Sequence, residues 1–318
     1  MLPAPPSFIQ DVRLPRNVPH PKVTVICIFY DAERFLCEAI DSVLAQDFDD
    51  YELLLVDDGS SDGSTALARR RVMRHPDRIC YLDHPHHARQ GMSAARNLGL
   101  AHARGEYVAF IEADDRWRPC KLREQVAMMD AHREVGMVAG AVVRWRSWEG
   151  AEDILLPTGH LVDAIAPAPE ATMAVYPLGP SAPPCLSDVM IRRSVLEEVG
   201  RFEARFTGAF EDCACFGKLL LAAPVHLSSR VWTERRVQDV QAAGVANAQS
   251  GVNCPASRAA FLRWYGEYLK SCDAPRRKAV LRAVRLTRWK DLFRRLFYGH
   301  TALGRTRASL KERGRPIS

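Results

Sequence analysis

In this chain, short β-branched apolar runs alternate with stretches of helical period, and two of the runs end in clusters of acids. VTVICIF (23–29) has the pattern of a buried strand. ERFLCEAIDSVLAQ (33–46) follows it, with Phe35, Leu36, Ala39, Ile40, Val43 and Leu44 at helical spacing. ELLLV (52–56) is the next strand and runs into the turn-forming DDGSSDGS; a helix over 65–73, a strand ICYL (79–82) and a helix over 92–103 come after it. EYVAFI (106–111) closes on EADD, with a helix over 120–132 and a further strand at GMVAGAVV (136–143). Parallel strands need crossover helices, so this alternation predicts a three-layer α/β/α domain with a mostly parallel central sheet. Residues 150–185, rich in Pro, Ala and Gly, read as loop. Order resumes at LSDVMI (186–191), a helix around 194–199, FTGAFED (206–212) and a helix to Ala222.

Composition narrows the class. With 318 residues, 47% of them hydrophobic and 26% charged, the chain is neither disordered, collagen-like nor a disulfide miniprotein. Its apolar stretches fall far short of the ~20 residues that span a bilayer. MLPAPPSFIQ lacks the basic and apolar regions of a signal peptide. Nine cysteines without a CxxC pair read as reduced thiols, hence a cytoplasmic protein.

Charge is unevenly spread. Residues 276–318 hold 14 basic and two acidic side chains, against 30 and 36 in the rest. In that basic tail Trp289, Leu292, Phe293, Leu296 and Phe297 share a helical face flanked by Arg288, Lys290, Arg294 and Arg295. The pattern suits peripheral contact with anionic lipid at the inner face of the cell membrane; a helix docked on the protein's own core is the alternative. An acidic body without a recognition motif argues against nucleic acid as a partner.

In open parallel sheets, ligands bind beyond the carboxyl ends of the strands. Tyr30 and Asp31, Asp57 and Asp58, and Glu112, Asp114 and Asp115 all stand at such ends. Acids after strands also cap helices, but matched clusters at several strand ends point to a ligand crevice. There is neither a GxGxxG after the first strand nor a GxxxxGK[ST], and DGSSDG carries Arg69 where a calcium loop needs glutamate. His84, His86 and His87 read as a solvated loop.

Three blocks carry a family resemblance. VTVICIFYDAERFLCEAIDSVLAQDFDDYELLLVDDGSSDGS, GMSAARNLGLAHARGEYVAFIEADDRWRPCKL and GAFEDCACFGKLLL closely resemble, in order and spacing, the family 2 glycosyltransferases of the bacterial cell-surface glycan type, which have the GT-A fold. The resemblance spans roughly 22–235. It implies a lead-in over 1–21, a GT-A domain over 22–235 and a helical C-terminal extension with a basic tail over 236–318. It also implies an inverting, metal-dependent transfer from a nucleotide-sugar donor, expected to be a UDP-sugar, to a hydroxyl of a glycan or lipid-linked acceptor. By the same resemblance Asp58 contacts the nucleotide base and Asp57 supports its loop. Tyr30 follows the first strand at the donor side, and Arg96 borders the nucleotide site. Glu112 matches the first acid of the DxD motif, facing ribose and metal, and Asp114 binds the metal. Asp212 matches the general base, with Glu211 its neighbour.

These residue types suit the chemistry. Mg²⁺ or Mn²⁺ takes oxygen ligands and needs few protein carboxylates once phosphates supply the rest. A carboxylate can take the acceptor's proton. Ile28–Asp31 replaces the usual P-V-Y-N, and Glu replaces Asp at 112. These departures leave a second reading, a catalytically impaired nucleotide-sugar-binding homologue with a regulatory or scaffold role. Trp117, Trp145 and Trp148 are candidates for the acceptor side or for packing. Arg235 and Arg236 stand where the family often closes over the diphosphate, or in a solvated loop.

Overall fold

The computed structural model describes residues 20–158, 162–237, 254–273 and 277–293. In chain order the first half is β1 (Val23–Phe29), α1 (Leu36–Leu44), β2 (Tyr51–Asp57), α2 (Ser64–Arg74), β3 (Ile79–Asp83), α3 (Met92–His102) and β4 (Tyr107–Glu112). β1 pairs in parallel with β2 and β4, and β2 with β3. All seven residues of β1 and all seven of β2 are buried, which is why both read as continuous apolar runs. Val25, Cys27 and Phe29 of β1 face α1, α2 and the later α4 (Lys121–Ala131), while Ile26 and Ile28 face α3 on the opposite side. The two faces of the sheet thus carry separate cores, and the three-layer arrangement follows.

The second half folds back on this frame. It adds β5 (Arg116–Trp117), β6 (Met137–Trp145), β7 (Ile154–Leu156), β8 (Ala164–Ala166), α5 (Glu170–Ala174), β9 (Met190–Arg192), α6 (Arg193–Glu198), α7 (Glu211–Ala222) and β10 (Val225–Arg236). The sheet runs β3-β2-β1-β4-β9-β6-β10-β5, with β7 on β6 and β8 on β10. β9 is antiparallel to both neighbours, so the parallel first half is joined through it to the parallel β6–β10 pair. The longer ladders are the parallel ones. Residues 150–185 are less irregular than the sequence suggests, since they supply β7, β8 and α5.

Behind α7 lies a third core. α8 (Pro255–Ser271) packs Phe261, Leu262, Tyr265 and Leu269 against Phe210, Ala214 and Leu221. The Tyr265 hydroxyl donates to the Gly217 carbonyl at 2.7 Å. A helix over 277–293 covers this layer with the buried Val280 and Val284. Leu296, Phe297, Arg294 and Arg295 of the expected tail face lie outside the described residues, as does the lead-in up to residue 19.

Candidate functional site

Phe29 stands opposite Asp57 and Ile28 opposite Glu112. The three strands therefore end side by side and present Tyr30, Asp58 and the segment Glu112–Asp115 along one edge. Asp57 is fully buried and accepts from the Ser60 N–H at 2.8 Å and from the hydroxyls of Thr65 and Tyr81 at 2.6 and 3.0 Å. Its oxygens hold the loop. Asp58 accepts from the N–H groups of Gln90 and Gly91 at 2.8 and 2.9 Å, tying this loop to the start of α3. Asp31 accepts from the N–H groups of Ser61 and Asp62, which hold its carboxyl below the usual range. Gly59 sits between these bonds at φ +81°, where a Cβ would stand 2.8 Å from both the His87 carbonyl and the Arg89 nitrogen. A glycine is required there. Tyr30 is 38% exposed, and the Arg89 guanidinium lies 3.7 Å from its ring centroid.

The histidine segment is a mostly exposed turn, as the solvated-loop reading expects, with His84 alone of the three histidines turned inward. His87 Nε2 lies 2.9 Å from the Ser60 carbonyl and Nδ1 3.3 Å from Asp83, and the bond to Ser60 chiefly raises its pKa. His84 is buried 3.9 Å from Asp58, and desolvation lowers its pKa. His86 and His87 are both exposed, and the buried His84 leaves its Nε2 without a hydrogen-bond partner. Of the three, His87 is the one whose ring bonds fasten the loop to the sheet.

Ligand oxygens of Glu112, Asp114 and Asp115 lie within 4.8 Å of one another. Asp115 is committed to the fold: it accepts from the Ser187 hydroxyl at 2.5 Å and from the Arg236 N–H at 3.0 Å. The Ser187 hydroxyl also accepts the Glu112 N–H at 3.0 Å, so one residue clips both ends of the motif. Burial pushes the carboxyls of Asp114 and Asp115 up, and repulsion from Glu112 adds to it. Such a crowded set of oxygens fits a hard divalent cation, with Glu112 and Asp114 free of the structural duty of Asp115.

Opposite this cluster, a left-handed turn at Phe210 (φ 65°) starts α7 and puts Glu211 and Asp212 in its first turn, where the helix dipole favours negative charge. Arg96, 2% exposed, lies between the two groups of acids. Its Nη2 donates to Glu112 Oε1 at 3.0 Å, while Nη1 is 3.4 Å from Asp212 Oδ1 and 3.7 Å from Glu211 Oε2. Neither Arg96 Nη1 nor Asp212 Oδ1 completes a hydrogen bond, though both atoms are buried. Burial raises the pKa of Asp212 and of Glu211, and Arg96 pulls both back. Arg96 thus bridges to the Asp212 side, a contact its place in the ARN segment did not disclose. Cys213 and Cys215, buried in α7, have thiols pushed up to about 12, as packing residues would.

The remaining candidates separate cleanly. Trp117 is buried and donates its indole N–H to the Ser187 carbonyl at 2.7 Å, so it packs. Trp145, Trp148 and Phe35 surround the Arg236 guanidinium, at 4.1 to 4.7 Å from the three centroids, with Phe35 and Trp148 edge to face. Arg236 is buried and donates to the Asp114 carbonyl at 2.9 Å. Arg235 faces the acids from the same strand, where the nearby Asp115, Glu112 and Asp114 charges raise its pKa against the cost of burial. Both arginines belong to β10 rather than to a solvated loop. Sequence reasoning missed Ser187 altogether; its only signal is a short polar step, Ser187–Asp188, between Leu186 and Val189. A cavity of about 440 Å³ opens beside Arg96, Glu112, Glu211, Asp212 and Arg235.

Comparison with known proteins agrees with this architecture. The family described as "Glycosyl transferase family 2" matches residues 24–200, more than half of the chain. EpsE of Bacillus subtilis (strain 168), provisionally named a glycosyltransferase, is 38% identical over 118 residues, covering 37% of this chain and 42% of its own. The uncharacterized glycosyltransferase alr2836 of Nostoc sp. (strain PCC 7120 / SAG 25.82 / UTEX 2576) is 41% identical over 117 residues, 37% of this chain and 35% of its own. The chain thus spans less than half the length of these curated relatives. Among solved structures, S. aureus TarS 1-349 in complex with UDP-GlcNAc superposes with a TM-score of 0.63 at 19% identity, over 86% of this chain and 72% of that one. The mannosyltransferase PcManGT from Pyrobaculum calidifontis, in complex with GDP-Man and Mn²⁺, gives 0.57 at 22% identity, over 97% and 85%. At such identities these structures establish the shared fold.

Proposed function

The chain belongs to glycosyl transferase family 2, and on that premise we propose that it is an inverting, metal-dependent glycosyltransferase. It moves a sugar from a nucleotide donor, a UDP-sugar in our reading, to a hydroxyl of a glycan or lipid-linked acceptor. The observation that carries this reading is Arg96, which lies between Glu112 of the strand-edge acidic cluster and Asp212 on the facing helix α7. Tyr30 and Asp58 receive the nucleotide base, with Asp57 holding their loop. Asp114, with Glu112 beside it on the ribose side, would hold a divalent cation, and Arg235 adds positive charge beside the diphosphate. When bound, the cation neutralises the departing diphosphate. Asp212 accepts the proton of the acceptor hydroxyl as that oxygen attacks the anomeric carbon, and a single displacement inverts the configuration.

The GT-A domain is taken as 22–235 and the helical extension as 236–318. No described helix is long and apolar enough to cross a membrane. On the helix over 277–293, Val280 and Val284 dock inward while Leu286, Trp289, Leu292 and Phe293 stay exposed. Each of the two alternatives for the tail is therefore supported by part of that helix. We read the outer part as a peripheral contact with anionic lipid at the cytoplasmic face, placing the enzyme beside a lipid-linked acceptor of cell-surface polysaccharide assembly.

Calorimetry of UDP, GDP and their sugars, with and without Mn²⁺, tests the donor assignment on wild type and Asp114→Ala. Metal-dependent UDP binding that the substitution abolishes is the expected result. Absence of any nucleotide binding with metal present would overturn the reading.

A further inference from the structure

The cavity beside the acids has a charged end and a largely apolar wall. Its charged part is Arg96, Glu112, Glu211, Asp212 and Arg235. Beyond these the lining is made by residues such as Val142, Leu156, Ala174, Val175, Leu186 and Leu227, with Thr158 and Ser181 the hydroxyl side chains among them. Tyr30, Asp57 and Asp58 do not line it, whereas Arg96, Glu112 and Arg235 do at one end; the space runs from that charged end past Asp212, where an acceptor must approach. A volume of about 440 Å³ is within the range of small-molecule sites.

A pyranose placed wholly in this space would find side-chain partners for its hydroxyls at the charged end and at Thr158 and Ser181 but not along the apolar wall, and each buried unpaired hydroxyl opposes binding. A phosphate on the acceptor would lie against Glu211 and Asp212 and compete with the donor diphosphate for Arg235. Resting on the transferase reading above, we propose that this cavity is an acceptor subsite. It takes a neutral acceptor with a compact apolar group, alkyl or aryl, beside the hydroxyl presented to Asp212. The sugar part of such an acceptor stays at the charged rim while the apolar group enters. In the transfer itself, the acceptor oxygen bonds to the anomeric carbon, the bond to the diphosphate breaks, and the acceptor proton passes to Asp212.

The test uses the full chain with Mn²⁺ and UDP-glucose, UDP-GlcNAc or GDP-mannose. Acceptors are p-nitrophenyl and methyl glycosides of glucose, galactose, mannose, N-acetylglucosamine and rhamnose. The expected result is at least one sugar for which the aryl glycoside exceeds the methyl glycoside about tenfold in kcat/KM, a difference of about 1.4 kcal/mol. Ala174→Phe, which fills the space, and Leu156→Gln, which makes its wall polar, should each return that ratio to near one. Saturation-transfer NMR on the same glycosides, read without turnover, should show stronger transfer to the aryl protons than to the ring protons, weakened in both variants. Equal use of aryl and methyl glycosides, or an aryl preference that both variants retain, would overturn the subsite. Loss of nucleotide binding in wild type would instead strike the transferase reading, and the NMR comparison would still decide what the cavity takes.

Discussion

Replacing Arg96 by methionine removes the guanidinium that lies within 3.7 Å of Glu112, Glu211 and Asp212 while keeping an unbranched side chain. The guanidinium lies 3.4 Å from Asp212 Oδ1. At that separation the attraction is about 1.2 kcal/mol at the dielectric of water and about 5 kcal/mol at an effective value of 20. The Asp212 side chain is 38% accessible, so solvent screening puts the effect towards the lower figure, about one to two pH units at ~1.4 kcal/mol each. The sign is fixed. Arg96 favours the charged carboxylate, its removal raises a pKa that burial and Glu112 already raise, and a base works only when deprotonated. The rising limb of kcat/KM against pH should therefore move to higher pH by that amount in Arg96→Met, with wild type and variant converging at the alkaline end. The assay is nucleotide release between pH 5 and 9 with metal held constant. A limb that stays where it was, or a loss equal at every pH, would refute the reasoning and leave Arg96 as a packing or donor-side residue. Stability provides a cross-check. Carboxyls whose folded pKa is raised favour the fold when protonated and cost stability as pH rises through the folded value. The Tm of the variant should accordingly fall more steeply than that of wild type as pH rises through the shifted pKa.

Three smaller perturbations test the supports of the site. Ser187→Ala leaves the buried Asp115 carboxylate and the Glu112 N–H without their shared hydroxyl, so a loss of about 1–3 kcal/mol, read by denaturant unfolding, should accompany weakened metal-dependent nucleotide binding. Tyr265→Phe removes the bond to the Gly217 carbonyl and should cost about 1 kcal/mol in the same measurement; an unchanged midpoint would mean that α8 is held by its aromatic packing alone. Trp289→Glu with Leu292→Glu, both exposed, should abolish flotation with vesicles containing anionic phosphatidylglycerol while leaving Tm unchanged, and retained flotation would move the membrane contact elsewhere.

The parallel half of the sheet was legible because β1, β2 and β4 are buried on both faces, and burial on both faces writes itself as an unbroken apolar run. β10 was not. VHLSSRVWTERR carries serines and arginines, and its register with β6 shifts between Leu227 and Val231 and again before Thr233, so no period of two survives to be read. β5 has two residues, too few for any pattern. At the site, the acids announced themselves by standing after strands, whereas the partner of Arg96 on α7 is set by a contact over more than a hundred residues that no local spacing encodes. Ser187 illustrates the same limit. Its importance comes from two bonds that exist only once β9 lies beside β4, as the long-range pairing of Ala109 with Met190 requires.

The third core behind α7 bears on the order in which this protein becomes functional during its own synthesis. The edge with Tyr30, Asp58 and Asp114 is built from strands complete by residue 112. The opposite side waits for β10 to bring Arg235 and Arg236, and for α8, beginning at Pro255, to lay Phe261 and Tyr265 against the helix that presents Asp212. A nascent chain would thus complete the strand edge well before Ser187 and Arg236 fasten its acidic motif and before α8 seats the helix that carries Asp212.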